Sequence, residues 1–171
     1  MTPEERRLVM SLVVVPGRGP EMSPDEFLRR FGADDGRELG LALLRDAVDR
    51  HDGLDVEMAL IVCATFGFTA DHLPLLVQLI PVDWHHKHED VVTALGGLRT
   101  PEAVDALYEA AQWVPKYLDY DESRALAKKA IRALSRIPGP AAERAMARLS
   151  ESDSEIVGEY AQAQFARRRE A

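Results

Sequence analysis

Cysteine is almost missing from this 171-residue chain. Cys63 is the only one, so no intramolecular disulfide can form and a disulfide-held secreted scaffold is excluded. A reducing cytoplasm is the expected compartment. Aromatic residues are also sparse, at 6%. Ala, Leu, Arg, Asp and Glu dominate instead, which favours helix over β-branched strand formers. No apolar run reaches the roughly 18 residues of a membrane span. The stretch Leu8 to Val15 is interrupted by Ser11 and preceded by Glu4, Glu5, Arg6 and Arg7, so it reads as a buried helix rather than a cleaved leader. Nor is there a nucleophile placed beside a base, a glycine loop for phosphates, or a cysteine pairing suited to zinc; Gly17-Arg18-Gly19 is too short to count. No catalytic activity and no cofactor are expected.

What is abundant is negative charge, and it is unevenly spread. The formal net charge is −8. Residues 1–60 hold 8 Lys/Arg against 13 Asp/Glu, residues 61–120 hold 3 against 8, and residues 121–171 hold 10 against 8. An acidic body with a basic last helix disfavours nucleic acid, whose phosphates need a concentrated positive face. Arg167, Arg168 and Arg169 are accounted for as cations complementing a helix C-terminus. A basic protein partner suits this charge distribution, and neither nucleic acid nor membrane is expected as a partner.

Helix boundaries are legible. Thr2-Pro3-Glu4-Glu5, Ser23-Pro24-Asp25-Glu26 and Thr100-Pro101-Glu102 each place a capping hydroxyl before a first-turn proline and acids. Gly32, Gly53, Gly67, Pro81 and Pro138-Gly139 supply stops. The spacing predicts helices over 3–14, 24–31, 36–50, 55–66, 71–80, 84–98, 101–112, 121–137, 140–150 and 154–168. Apolar residues recur at steps of three or four, as in Val91, Leu95 and Leu98 or Leu126, Ala130, Leu134 and Ile137, and no segment alternates with period two.

Two of these hairpins repeat each other. The segment Ala94-Leu95-Gly96-Gly97-Leu98-Arg99-Thr100-Pro101-Glu102-Ala103 aligns with Ala133-Leu134-Ser135-Arg136-Ile137-Pro138-Gly139-Pro140-Ala141-Ala142, 39 residues on, and a fainter copy begins at Cys63. Helix pairs that repeat in this way bury their faces against each other by stacking. The stretches "ALGGLRTPEAVDALYEAA" and "AIRALSRIPGPAAERAMARLSESDSEIVGEYAQAQF" resemble HEAT repeats of the bacterial type, over about residues 84–168. The resemblance implies an all-α fold: a short right-handed α-solenoid of about ten helices in antiparallel pairs. It implies one domain over 1–171, with capping helices in 1–54, repeats in 55–171 and a terminal cap at 154–168. Such proteins are usually binding scaffolds, among them small immunity and inhibitor proteins.

Two segments stand out as candidate sites. In Trp84-His85-His86-Lys87-His88-Glu89-Asp90, a helix at about 100° per residue would bring His85, His88 and Glu89 onto one arc. Two imidazoles and a carboxylate suit a divalent metal, the basis of an alternative reading as a small metal-dependent enzyme. Deoxyhypusine hydroxylase, an enzyme of the HEAT class, repeats its metal-binding His-Glu pair, whereas His88-Glu89 is the one such pair here, so no metal site is assigned. The other reading buries His88 and makes His85–Glu89 and His86–Asp90 helix-supporting pairs. The second segment, Gln112 to Tyr120, gathers Trp113, Tyr117 and Tyr120 beside Asp119, Asp121 and Glu122. These aromatics either anchor a partner or plug the gap between repeats. The expected partner-binding surface is therefore Trp84, His85, His88 and Glu89 together with Trp113, Tyr117, Asp119, Tyr120 and Asp121.

Overall fold

The computed structural model describes residues 1–14, 16–17 and 19–170, so Arg18 of the Gly-Arg-Gly motif lies outside the described residues. Among these residues every regular element is helical: α1 (Pro3–Met10), α2 (Pro24–Phe31), α3 (Gly36–Asp49), α4 (Gly53–Phe66), α5 (Leu73–Gln78), α6 (His88–Leu98), α7 (Val104–Gln112), α8 (Ala125–Leu134), α9 (Pro140–Ser150) and α10 (Glu155–Glu170), with 3-10 turns at Ala70–His72, Pro101–Ala103 and Lys116–Leu118. The chain is all-α. No helix of the described residues is long and apolar enough to cross a membrane.

Two of the three hydroxyl caps are made. Thr2 accepts from the Glu5 amide and completes a capping box, and Ser23 accepts from the Glu26 amide. Thr100 turns instead to the Glu102 carboxylate, and the chain there enters α7 through a 3-10 turn. Gly32 closes α2 in the left-handed conformation at φ 79°. Several helices are shorter than their periodicity suggests, among them three that no 3-10 turn extends at the N-terminal side. The first ends at Met10, the sixth begins at His88 and the eighth spans Ala125–Leu134.

The chain divides into two compact units, Met1–Leu75 and Leu76–Ala171. In the first, α3 and α4 pair closely, and α1 packs on α2 and α4. Its core includes Val9, Leu12, Phe27, Met58 and Val62, with Phe31 and Phe66 packed against it. Small residues let α3 and α4 approach: a Cβ on Gly40 would lie 2.9 Å from Cys63 Sγ. Cys63 is fully buried, and burial pushes its thiol up to about 12. Where α1 meets α4, Asp55 is fully buried and takes the Met1 ammonium (2.5 Å), Arg6 Nε (2.7 Å) and an Arg50 amino group (2.5 Å). Burial alone would raise this carboxyl. The three donors outweigh it and hold Asp55 far below the usual carboxylate range.

In the second unit α6 packs on α7 and α8, α7 on α8 and α9, and α10 on α8 and α9. Leu95, Leu107, Ile131, Leu134, Met146 and Leu149 are its large buried side chains along these helices. Close approach is again set by a glycine, since a Cβ on Gly96 of α6 would lie 2.7 Å from that of Ala133 on α8.

Candidate functional site

The connection from α5 to α6 is built by two histidines. Pro81 cannot continue a helix, so the carbonyls around it need other donors. His85 Nε2 donates to the Leu79 carbonyl at 2.7 Å, while its Nδ1 accepts from the Lys87 amide at 3.0 Å. His88 Nε2 donates to the Val82 carbonyl at 2.8 Å. The Tyr117 hydroxyl accepts from the His88 amide (3.3 Å) and donates to His88 Nδ1 (3.0 Å). All four ring nitrogens are thus engaged, which fixes both rings as neutral Nε2–H tautomers. Both are buried and stack with centroids 4.1 Å apart.

This geometry corrects the expected helical arc. Positions 84–87 lie outside α6, so His85, His88 and Glu89 do not share a helix face and the expected i,i+4 pairs of His85 and His86 are not formed. The cause is side-chain chemistry: rings at helical spacing bond to backbone groups rather than projecting from a helix. Glu89 pairs with Lys129 on α8 at 2.6 Å, away from the imidazoles. Burial, together with repulsion from His85, lowers the His88 pKa to about 4; burial also lowers that of His85. Among the described residues no three His, Cys, Asp or Glu side chains are grouped to hold a metal ion.

The second segment packs onto the first. Trp84 meets the His85 ring edge-on at 5.3 Å, and Trp113 meets His88 edge-on at 5.0 Å. Tyr117 stacks on His88 at 5.6 Å and on His86 at 4.5 Å. Trp84, His85, His88, Trp113 and Tyr117 therefore form one continuous cluster. Asp121 serves the fold: it accepts from the Ser123 hydroxyl and amide and, at 2.6 Å, from the Ala125 amide, capping α8 where Arg124 takes a left-handed conformation. These bonds hold its carboxyl below the usual range. Two of the nine expected surface residues remain open to solvent, Asp119 and Tyr120, the latter 80% exposed.

His86, expected as the partner of Asp90 rather than among the surface residues, lies on this face. It is exposed on the face of Tyr117. Trp113 also borders an open groove of about 480 Å³ whose lining includes Ile80, Pro81 and Glu109. The surroundings are acidic. Residues 76–124 carry four Lys/Arg against nine Asp/Glu, with Asp83, Asp90, Asp119 and Glu122 exposed. Burial raises the Tyr117 hydroxyl pKa, and nearby Glu89 and Asp90 add to it. Compared with protein-family models, curated proteins and solved structures, the chain matches none.

Proposed function

We propose that this protein is a non-catalytic binding module, built as a HEAT-like stack of helix pairs, that recognises a basic partner protein through the acidic, aromatic-bearing face of residues 76–124. The observation that carries this reading is Tyr120, a large aromatic side chain left 80% exposed between Asp119 and Asp121. Exposed aromatics flanked by acids suit recognition of Lys- and Arg-rich surfaces, where ring and carboxylate act on the same cation. The exposed His86 ring on Tyr117 extends the surface, and the buried cluster beneath holds it rigid, which lowers the entropic cost of binding. An immunity or inhibitor protein that blocks a basic toxin or enzyme is the specific form this reading favours.

The test is a pull-down from native lysate at low salt with the wild-type chain and with Tyr120→Ala and Asp119→Lys. Recovery of a basic protein by wild type, lost with either variant and with rising salt, supports the reading. Recovery of no partner, or equal recovery by all three chains, counts against it.

A further inference from the structure

The acidic face has an electrostatic opposite in the same unit. Residues 125–171 carry nine Lys/Arg against six Asp/Glu. Lys129, Arg132 and Arg136 follow one another at steps of three and four, which puts them on one side of α8 and its C-terminal extension. All three line a groove of about 210 Å³ between α6 and α8, with Gly96 and Ala133 among its lining. The close approach of those two small residues keeps the helices together, and the long cationic side chains wall the space above them.

Compensation along this row is incomplete. Lys129 is paired with Glu89. The Arg132 guanidinium is steadied at 3.1 Å by the Tyr160 hydroxyl, a neutral partner. Among the described residues neither Arg132 nor Arg136 has a carboxylate partner. Like charges at this spacing disfavour the helix, and a chain of net charge −8 has acids to spare. Two guanidiniums around a concave site, with no carboxylate partner among the described residues, are the arrangement that receives an anion, since their planar forks match phosphate oxygens.

We propose that the groove between α6 and α8 binds the phosphoryl group of a small anionic ligand, with Arg132 and Arg136 as its direct donors and Lys129 at one end. Its volume lies below the range of drug-sized pockets and suits one phosphate or a diphosphate. The row is also too short, on too acidic a chain, for a duplex to be the natural occupant. Thr93, on the α6 side, gives its hydroxyl proton to the Glu89 carbonyl and so offers the ligand no donor. The site is independent of the acidic face and stands whether or not that face binds a protein.

The experiment is titration of the full chain with inorganic phosphate and with pyrophosphate, at ionic strength held constant with chloride, followed by calorimetry and amide shifts. Saturable binding is expected, with shifts at residues 129–136 and a raised melting temperature. Arg132→Gln and Arg136→Gln should each weaken it roughly tenfold, while Arg144→Gln, an exposed cation on α9, leaves it unchanged. Both target arginines are exposed, and unchanged far-UV circular dichroism of each variant certifies the comparison. Overturning results are a response no greater than that to chloride, or equal loss with Arg144→Gln. Binding of a duplex oligonucleotide or of phosphatidic-acid vesicles through Arg132 and Arg136, without binding of either free anion, also overturns the small-ligand assignment.

Discussion

His85 and His88 stack face to face, and each donates Nε2–H to the carbonyl six residues before it, His85 to Leu79 and His88 to Val82. The pair closes a connection that proline has left without helical hydrogen bonds. It also makes the second unit sensitive to acid. His88 takes up a proton at about pH 4 when folded and near its ordinary 6.5 when unfolded. As pH falls below 6.5 the unfolded chain binds the proton first, so stability present at neutral pH is lost progressively down to pH 4. His88 alone accounts for about 2 kcal/mol of loss by pH 5, and the lowered pKa of His85 adds in the same direction. Urea midpoints measured from pH 7.5 to 4.5 should fall, and His88→Leu should flatten the slope while lowering the plateau.

Tyr117 and Tyr120 separate support from recognition. Tyr117→Phe removes the hydroxyl that both accepts from and donates to His88, and should cost about 1–3 kcal/mol in chemical denaturation. Tyr120→Ala should leave stability within about 0.5 kcal/mol of wild type, because the ring is largely solvated. A strong destabilisation by Tyr120→Ala would recast that ring as a packing element.

Asp55 is the electrostatic pivot of the first unit. Asp55→Ala strands three cations, although Arg6 and Arg50 are 30% and 42% exposed and can turn to water. The expected cost is therefore near the lower end for a broken buried pair, about 3 kcal/mol. Its acid response begins lower than that of the histidines. Because the folded carboxyl lies far below its unfolded value, its contribution is intact above pH 4 and is lost only as pH falls further. Acid titration of Asp55→Ala should match wild type in shape between pH 7 and 4 and diverge beneath it.

Gly96→Ala tests the contact between α6 and α8. The added methyl would meet Ala133 at 2.7 Å, so the helices must part, at a cost of about 1–3 kcal/mol in thermal or urea unfolding. Gly97→Ala, which meets nothing within 4 Å, is the control and should be neutral or slightly stabilising in a helix.

Zinc or manganese titrated into the protein should give no saturable heat, and chelators should leave its melting temperature unchanged. Binding of either ion by His85 or His88 would break a bond to Leu79, Lys87, Val82 or Tyr117. Saturable heat abolished by His88→Leu would revive a metal site.

Most helices were legible because their signals are local: a hydroxyl before Pro3 or Pro24, a glycine after Phe31, apolar steps of three and four. What escaped was decided by tertiary partners. His85 sits at helical spacing from His88, yet its ring finds the Leu79 carbonyl, a choice that periodicity does not record. Asp121 reads as one acid of a recognition loop, whereas it caps α8 because Arg124 starts that helix without a cap of its own. Asp55 gave no sequence signal, since its cations arrive from separate segments. Lys129, Arg132 and Arg136 stand at helical spacing, but only tertiary packing sets them around one groove.

Cys63, buried against Gly40 with a thiol that stays protonated at any physiological pH, makes the folded protein chemically mute toward alkylating and disulfide-exchanging reagents. Its modification rate is then a clock for the parting of α3 from α4, readable by mass without any added probe. A single new cysteine at position 120 would be the one fast-reacting thiol on the molecule, so a dye or crosslinker could be fixed to the acidic face without touching the rest of the chain.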